Sequence, residues 1–312
     1  MKKIFLLLLI ISTVYIVNAQ DEAIFTHYNI TPILINPAAA GIFEEHQFQL
    51  TARAQWTGFD DAPVTLGAHY NGPLGNTVGL GIGIRRETAA QLSRINGQFN
   101  FAFRFPINDN FKLSAGFLAE VQQIQLDNGI ISSDDNLYSQ ADDVAIQYMD
   151  GQTDFDAGVG FWGVLNDRTY FGLTLANLVR ARIDDIVTNN NTNQSPFQYY
   201  LFTVGHKFDV SGSNFTLEPS VLFRQVRNAP FQMDVNVKAG FLDDQFVAGL
   251  SYRNLEQVGV MLGTSLNKFR FYYTYDVSFQ QFQSFNGGTH EVTVLFALKK
   301  KDKIASYGQP QN

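Results

Sequence analysis

Between Gly97 and Phe105 the chain reads Gly-Gln-Phe-Asn-Phe-Ala-Phe-Arg-Phe, with phenylalanine at 99, 101, 103 and 105. Successive side chains of a strand point to opposite faces, so this spacing predicts a strand with one aromatic face and one hydrophilic face. The same two-residue rhythm recurs along nearly the whole chain. Read between turn residues, it predicts fourteen strands, over 47–54, 62–71, 76–86, 94–106, 111–126, 153–164, 168–177, 198–207, 214–226, 231–242, 245–254, 256–266, 268–278 and 288–298. A soluble sandwich also alternates, so one strand decides nothing. Fourteen aromatic-rich strands predict an all-β fold, a 14-stranded antiparallel transmembrane β-barrel whose even count brings both chain ends to the periplasmic side.

Connection length supports that topology. The odd-numbered connections include the two longest, Asp127 to Gln152 and Leu178 to Phe197, together with Phe279 to Gly287. The even-numbered ones are short, and only Phe208 to Ser213 is somewhat longer. Outer-membrane barrels place long loops outside and tight turns in the periplasm, whereas a wrong segmentation would scatter long loops over both sets.

The two faces also sort by polarity. Gln98, Asn100 and Arg104 stand opposite the phenylalanines of the fourth strand, and Asp234, Asn236 and Lys238 opposite Met233, Val235 and Val237 of the tenth. A charge turned to lipid at the bilayer midplane costs about 2–4 kcal/mol, so these charges are expected in the lumen. On this reading Phe101→Arg should impair assembly far more than Asn100→Arg. Gly79, Gly81 and Gly83 fall on the inward face of the third strand, leaving room for a close-packed lumen or plug.

The ends differ from the middle. Lys2 and Lys3, an apolar stretch from Ile4 to Val17, and Val17-Asn18-Ala19 form a secretory leader over 1–19 with cleavage expected before Gln20. Residues 20–46 have weak periodicity and contain Pro32 and Pro37, which predicts a periplasmic lead-in or a lumenal plug. The barrel is expected over 47–298. Residues 299–312 form a polar tail opening on Lys299, Lys300 and Lys301, read as a solvated end or a docking patch for an acidic periplasmic partner.

Composition narrows the chemistry. Removing Lys2 and Lys3 with the leader takes the net charge from −7 to −9, which gives no footprint for nucleic acid. The chain has no cysteine, which excludes disulfides, thiolate catalysis and sulfur-ligated metals. No cofactor is expected. The histidines His27, His46, His69, His206 and His290 show no pairing with a nucleophile on one strand face, and no Gly-x-Ser-x-Gly elbow or phosphate loop occurs. His206 continues the apolar register of Phe202 and Val204, so an interface position is expected for it. The acidic stretch with Asp134, Asp135, Asp142, Asp143 and Asp150 lacks the spacing of an EF-hand loop. The chain is not expected to be an enzyme.

Three separated segments resemble one family. The first runs from His27 through Asn36-Pro37-Ala38-Ala39-Ala40-Gly41; the second is Arg53-Ala54-Gln55-Trp56-Thr57-Gly58-Phe59 with Ala62-Pro63-Val64-Thr65 after it. The third pairs Tyr275-Asp276-Val277-Ser278 with Gly288-Thr289-His290-Glu291-Val292. Together they resemble the PorP/SprF outer-membrane proteins of the type IX secretion and gliding system of Bacteroidetes. The closing Gly-Thr-His-Glu departs slightly from the Gly-Ser-His-Glu expected of that family.

The resemblance implies an outer-membrane barrel that assists export of a large adhesin-like surface protein or holds it at the surface, often through that protein's C-terminal domain. Some members are instead associated with the periplasmic secretion ring. No catalytic residues come with it. Asn36, Pro37, Gly41, Arg53, Gln55, Trp56, Gly58, Pro63, Thr65, Asp276, Ser278, His290 and Glu291 are then structural or partner-binding positions. Asn36-Pro37 is read as a fixed turn and Trp56 as an interface anchor. The two long outer loops are expected to meet the partner. The competing expectation is a porin or a transporter of small hydrophobic compounds.

Overall fold

The computed structural model describes residues 25–126, 151–179, 181–182, 199–210, 212–226, 230–254, 257–279 and 286–299. Fourteen long antiparallel strands follow one another around a ring. They are β1 (Glu45–Ala54), β2 (Val64–Leu74), β3 (Val78–Ala89), β4 (Leu92–Asn108), β5 (Phe111–Leu126), β6 (Gln152–Leu165) and β7 (Thr169–Ala176). The series continues with β8 (Tyr199–His206), β9 (Phe215–Val226), β10 (Gln232–Phe241), β11 (Phe246–Arg253), β12 (Gln257–Leu266), β13 (Phe269–Ser278) and β14 (Thr289–Lys299). Each pairs with its neighbours in sequence, and β14 closes the ring on β1 through Glu45↔Lys299 to Ala54↔His290. A closed ring leaves no unpaired strand edge, which is what a β-structure needs in lipid. The barrel thus runs from Glu45 to Lys299, slightly wider than the expected 47–298.

Two further two-residue pieces refine the ring. Phe208–Asp209 pairs with Leu217 and Thr216, so the longest even connection is a hairpin extension of β8 and β9. Ala181–Arg182 pairs with Asp154 and Phe155 of β6, where β7 has already ended at Ala176. The tight turns rest on left-handed residues: Asn166 and Asp167 after β6, Leu242 to Asp244 after β10, and Asn267 after β12 all have positive φ. Connection length does not divide by side without exception, since β3 and β4 join at one end through Ala90 and Gln91 alone. Lys299, expected to open the polar tail, is the last residue of β14; the leader, the rest of the tail, the acidic stretch and most of both long connections lie outside the described residues.

The pleat separates lipid-facing from lumenal residues as the alternation dictates. Leu50, Leu66, Ile82, Leu250 and Leu262 all point outward and are more than half exposed. On β4, Phe99, Phe103 and Phe105 are exposed, whereas Asn96, Asn100 and Ala102 are buried. Arg104 turns inward and donates to the Gly41 carbonyl at 2.7 Å. His206 keeps the outward register of Phe202 and Val204, at the end of β8, with its ring against Phe208 and Nδ1 2.7 Å from the Thr169 hydroxyl.

Asn100→Arg corrects the simple contrast between faces. Asn100 is 2% exposed, so an arginine there meets packed protein and both substitutions should be damaging. The lipid face is better tested at Phe103, which is 45% exposed. Phe103 pairs with Val78 at the start of β3, away from the bilayer midplane, so Phe103→Arg should lose about 1–2 kcal/mol, read as a lower urea midpoint for folding into liposomes, while Phe103→Leu should stay near wild type. Equal midpoints for the two variants would refute the outward assignment.

Candidate functional site

What fills the lumen is the chain's own N-terminal segment. Residues 25–44 carry three short 3₁₀ turns, Thr26–Asn29, Pro32–Leu34 and Pro37–Ala39, and most of their side chains are buried. Prolines open the second and third turns, where a fixed φ and a missing N–H cost nothing. The segment starts beside Glu291, Asp276 and Arg53, near one end of β14, β13 and β1. It reaches the opposite end at Gly41, beside the turn between β2 and β3, and there enters β1. It therefore runs the greater part of the strand length from the end that carries the long connections to the end where Glu45 starts the ring.

Asn36 and Gly41 fix the lower half. The Asn36 side chain accepts from the Ala38 N–H at 2.9 Å, capping the third turn. Its amide donates to the Phe161 carbonyl at 3.0 Å and the Leu173 carbonyl at 3.1 Å, so one residue shapes the turn and ties it to β6 and β7. Gly41 has φ +69°, which only glycine adopts without strain, and its N–H donates to the Asn71 side chain at 2.7 Å. The wall makes room by dispensing with side chains. A Cβ at Gly79 would collide with the Ala40 carbonyl, at Gly116 with the Ala38 backbone, and at Gly160 with the Asn36 side chain. Gly79 and Gly81 of β3, with Gly116 of β5 and Gly160 of β6, are thus the surface on which the segment lies, while Gly83 meets the wall side chains His69 and Gln98.

The upper half is held by charge. Arg53, Asp276 and Glu291 project inward from β1, β13 and β14, and none is more than 3% exposed. Arg53 Nη1 donates to Glu291 Oε2 at 2.8 Å, to the Thr26 hydroxyl at 2.9 Å and to Asp276 Oδ2 at 3.3 Å. Glu291 in turn accepts the backbone N–H groups of Thr26 at 2.8 Å and His27 at 2.9 Å. The His27 ring spans the Thr293 and Thr274 hydroxyls at 2.7 and 2.8 Å, with Nδ1 also 2.9 Å from Glu291 Oε1. A second group lies farther round the ring. Arg253 grips Asp234 with two 2.9 Å bonds, and the Tyr28 hydroxyl bridges Asp234 and Asn236. Each buried charge meets an opposite charge and further hydrogen-bond partners, the condition under which burying it is tolerable.

Eleven of the thirteen residues singled out from the sequence fall in three places, and Ser278 and His290 lie outside them. Asn36, Pro37 and Gly41 lie on the segment. Arg53, Asp276 and Glu291 form the charged cluster, and Thr65, 1% exposed, sits directly across from Arg53 on β2. Gln55, Trp56, Gly58 and Pro63 build the turn after β1, where the Gln55 N–H bonds the Pro63 carbonyl at 2.9 Å and Thr57 pairs with Gly287 and Gly288. Trp56 lies beyond the strand in a left-handed conformation, φ +49°, with its N–H on the Thr289 hydroxyl. Ser278 ends β13, and His290 points outward against Tyr273 and Tyr275. Thr26, His27, Tyr28, Asp234 and Arg253 belong to the same constellation without having been singled out. Their inward register was readable for Asp234, but the long-range pairing was not.

The Type IX secretion system membrane protein PorP/SprF model matches residues 17–296. The chain belongs to the PorP/SprF family. Among solved structures, this PorP/SprF barrel is similar to the Ralstonia pickettii toluene transporter TbuX, at 9% identity and TM-score 0.51 over 86% of this chain and 92% of that one. It is also similar to the CymD monoaromatic hydrocarbon channel, at 10% identity and TM-score 0.50 over 86% and 91%. A TodX deltaS2S3 mutant, a monoaromatic hydrocarbon channel, matches at 8% identity and TM-score 0.52 over 86% and 94%. At such identities the likeness concerns the fold alone. A comparison with curated protein sequences finds no match. Barrel and family together fit an outer-membrane protein of the type IX secretion system.

Proposed function

We propose that this PorP/SprF protein is a non-catalytic, closed barrel that assists secretion of, or anchors at the surface, an adhesin-like substrate of the type IX system. The observation that carries this reading is the lumen. A solute channel needs a continuous aqueous path, and here residues 25–44 cross the interior, bonded to β1, β13 and β14 on one side and to β6 and β7 on another. A rigid, sealed scaffold suits a task performed by its loops, since loops in general can vary without disturbing the strands that carry them. The partner contacts we propose are the outer connections 127–152 and 178–197, which meet the substrate's C-terminal domain. Periplasmic ring components are further partners on the opposite end.

The test has two arms. Purified protein in a planar bilayer should show no steady open-pore current, and exchange of either long connection for a Gly-Ser turn should leave heat-resistant migration intact while abolishing surface display of the cognate protein. A stable conductance in the unmodified barrel would sink the sealed-scaffold reading. Display that survives both exchanges would move recognition away from the loops.

A further inference from the structure

Among the described residues, every backbone-to-backbone hydrogen bond made by residues 25–44 closes within the segment, from the Tyr28 N–H on Phe25 to the Glu44 N–H on Gly41. The strands pair with one another all the way round and take no such bond from it. Side chains tie the segment to the wall: Glu291 and Arg53 above, Asn36 and Asn71 below, and Tyr28 and Ile35 packed on Leu201 and Leu222 between them. The same contact strands polar atoms. Asn29 Oδ1 and Thr31 Oγ1 on the segment, and Thr65 Oγ1, Ser114 Oγ and Trp162 Nε1 on the wall, are enclosed with no hydrogen-bond partner and no surface left for water. Trp162 packs on Ala38 and Ala39, Ser114 pairs with Trp162 across the β5–β6 ladder, and Thr65 lies across from Arg53, which holds Thr26.

These two features point the same way. In lipid a strand ladder needs only its own backbone pairs, so the ring is complete without the segment. A polar group enclosed without a partner is worse off than one in water, so each stranded atom favours a hydrated lumen. We propose that residues 25–44 are a displaceable plug. The segment leaves the lumen while the fourteen-stranded ring stays closed, remains tethered to β1 at Glu45, and opens a water-filled passage. The wall it uncovers has the chemistry of such a passage. Gln47, Gln49, Asn71, Thr203, Ser220 and Thr274 all point inward and are buried, where an apolar core would carry aliphatic side chains. A passage lined in this way suits hydrophilic solutes and gives hydrocarbons no apolar surface to follow. At rest the charged cluster around Arg53 and the apolar contacts of Tyr28 and Ile35 hold the plug in, against the pull of the stranded groups.

The proposal adds a second state to the closed barrel proposed above, and the two fail separately. The chain has no cysteine, so Ser114→Cys supplies a sole thiol on the covered wall. In liposomes with rising urea, a water-soluble methanethiosulfonate reagent should leave this thiol unlabelled at first. Labelling should then appear at urea concentrations where the barrel still migrates as a heat-resistant ring. Thr31→Val and Thr65→Val keep the shape but remove a stranded hydroxyl, and in the open state each exposes a methyl group instead. Each should therefore slow labelling about tenfold without moving the urea midpoint of the ring. Labelling that begins only where the ring unfolds, or a rate indifferent to both valines, would overturn the proposal. Should Ser114→Cys fail to assemble, planar-bilayer current through the unaltered barrel decides. It should appear in moderate urea and vanish when the urea is removed, and its absence up to loss of the ring overturns the plug's displacement. A steady current without urea would count instead against the closed resting state.

Discussion

Arg53→Met should destabilise the barrel by about 3–5 kcal/mol and release the N-terminal segment from the upper wall. Arg53 stands between two carboxylates, Glu291 at 2.8 Å and Asp276 at 3.3 Å, and all three side chains are almost wholly shielded. Methionine keeps the volume of the stem but leaves both acids without their shared cation. Removing one partner of a buried pair costs about that much, because an uncompensated charge remains where water cannot reach it. The same change also withdraws the donor to Thr26, at the start of the lumenal segment. Urea unfolding from liposomes measures the first effect, and planar-bilayer current measures the second. A companion variant separates charge from packing. Arg53→Met combined with Glu291→Gln should recover part of the loss, because glutamine keeps an acceptor for the Thr26 and His27 N–H groups while removing one stranded charge. If the single variant unfolds at the wild-type midpoint, the Arg53 cluster contributes nothing and the segment is held by its lower half and by the Tyr28 bonds to Asp234 and Asn236.

Much of the barrel was legible because a strand has period two and lipid penalises the wrong face. Phe99, Phe103 and Phe105 outward with Asn100 and Arg104 inward needed only the order of residues along β4. Strand number followed from the same rule applied along the chain. What the pattern could not supply was who meets whom across the lumen. Inward polarity marked Asp234, Asp276 and Glu291 as lumenal, yet nothing local states that Glu291 caps the N–H groups of Thr26 and His27, more than 260 residues away. The segment over 20–46 was ambiguous for a related reason. Its 3₁₀ turns have no long period, and its order comes from the wall it lies on. The inward glycines of β3 were the available clue, since a strand gives up side chains where another backbone approaches. Trp56 shows the opposite limit: its position after β1 was readable, but its left-handed backbone depends on the clasp between Thr57 and Gly287–Gly288.

The wall glycines yield the second large effect. Gly79→Leu should displace the lumenal segment at a cost of about 3 kcal/mol while leaving strand pairing in place. Gly79 pairs with Pro73 on β2 and Ala102 on β4, and a leucine is at least as compatible with those ladders as glycine is. The damage falls on the other side of the backbone. A Cβ there runs into the carbonyl of Ala40, and a main-chain oxygen cannot rotate away as the tip of a flexible side chain can. Overpacking of a filled interior costs about 1–3 kcal/mol, and a clash with fixed backbone belongs at the top of that range. Gly97→Leu is the control, because a Cβ at Gly97 meets only the Val121 carbonyl at 4.0 Å. The two variants should migrate alike as heat-resistant barrels. Only Gly79→Leu should show proteolytic cleavage between residues 25 and 44 and a steady current in planar bilayers. A Gly79→Leu barrel that stays closed and protected would mean that the segment can seat without the bare wall of β3. In that case the charged cluster around Arg53 and the hydrogen bonds of Tyr28 and Asn36 to the wall suffice to hold it.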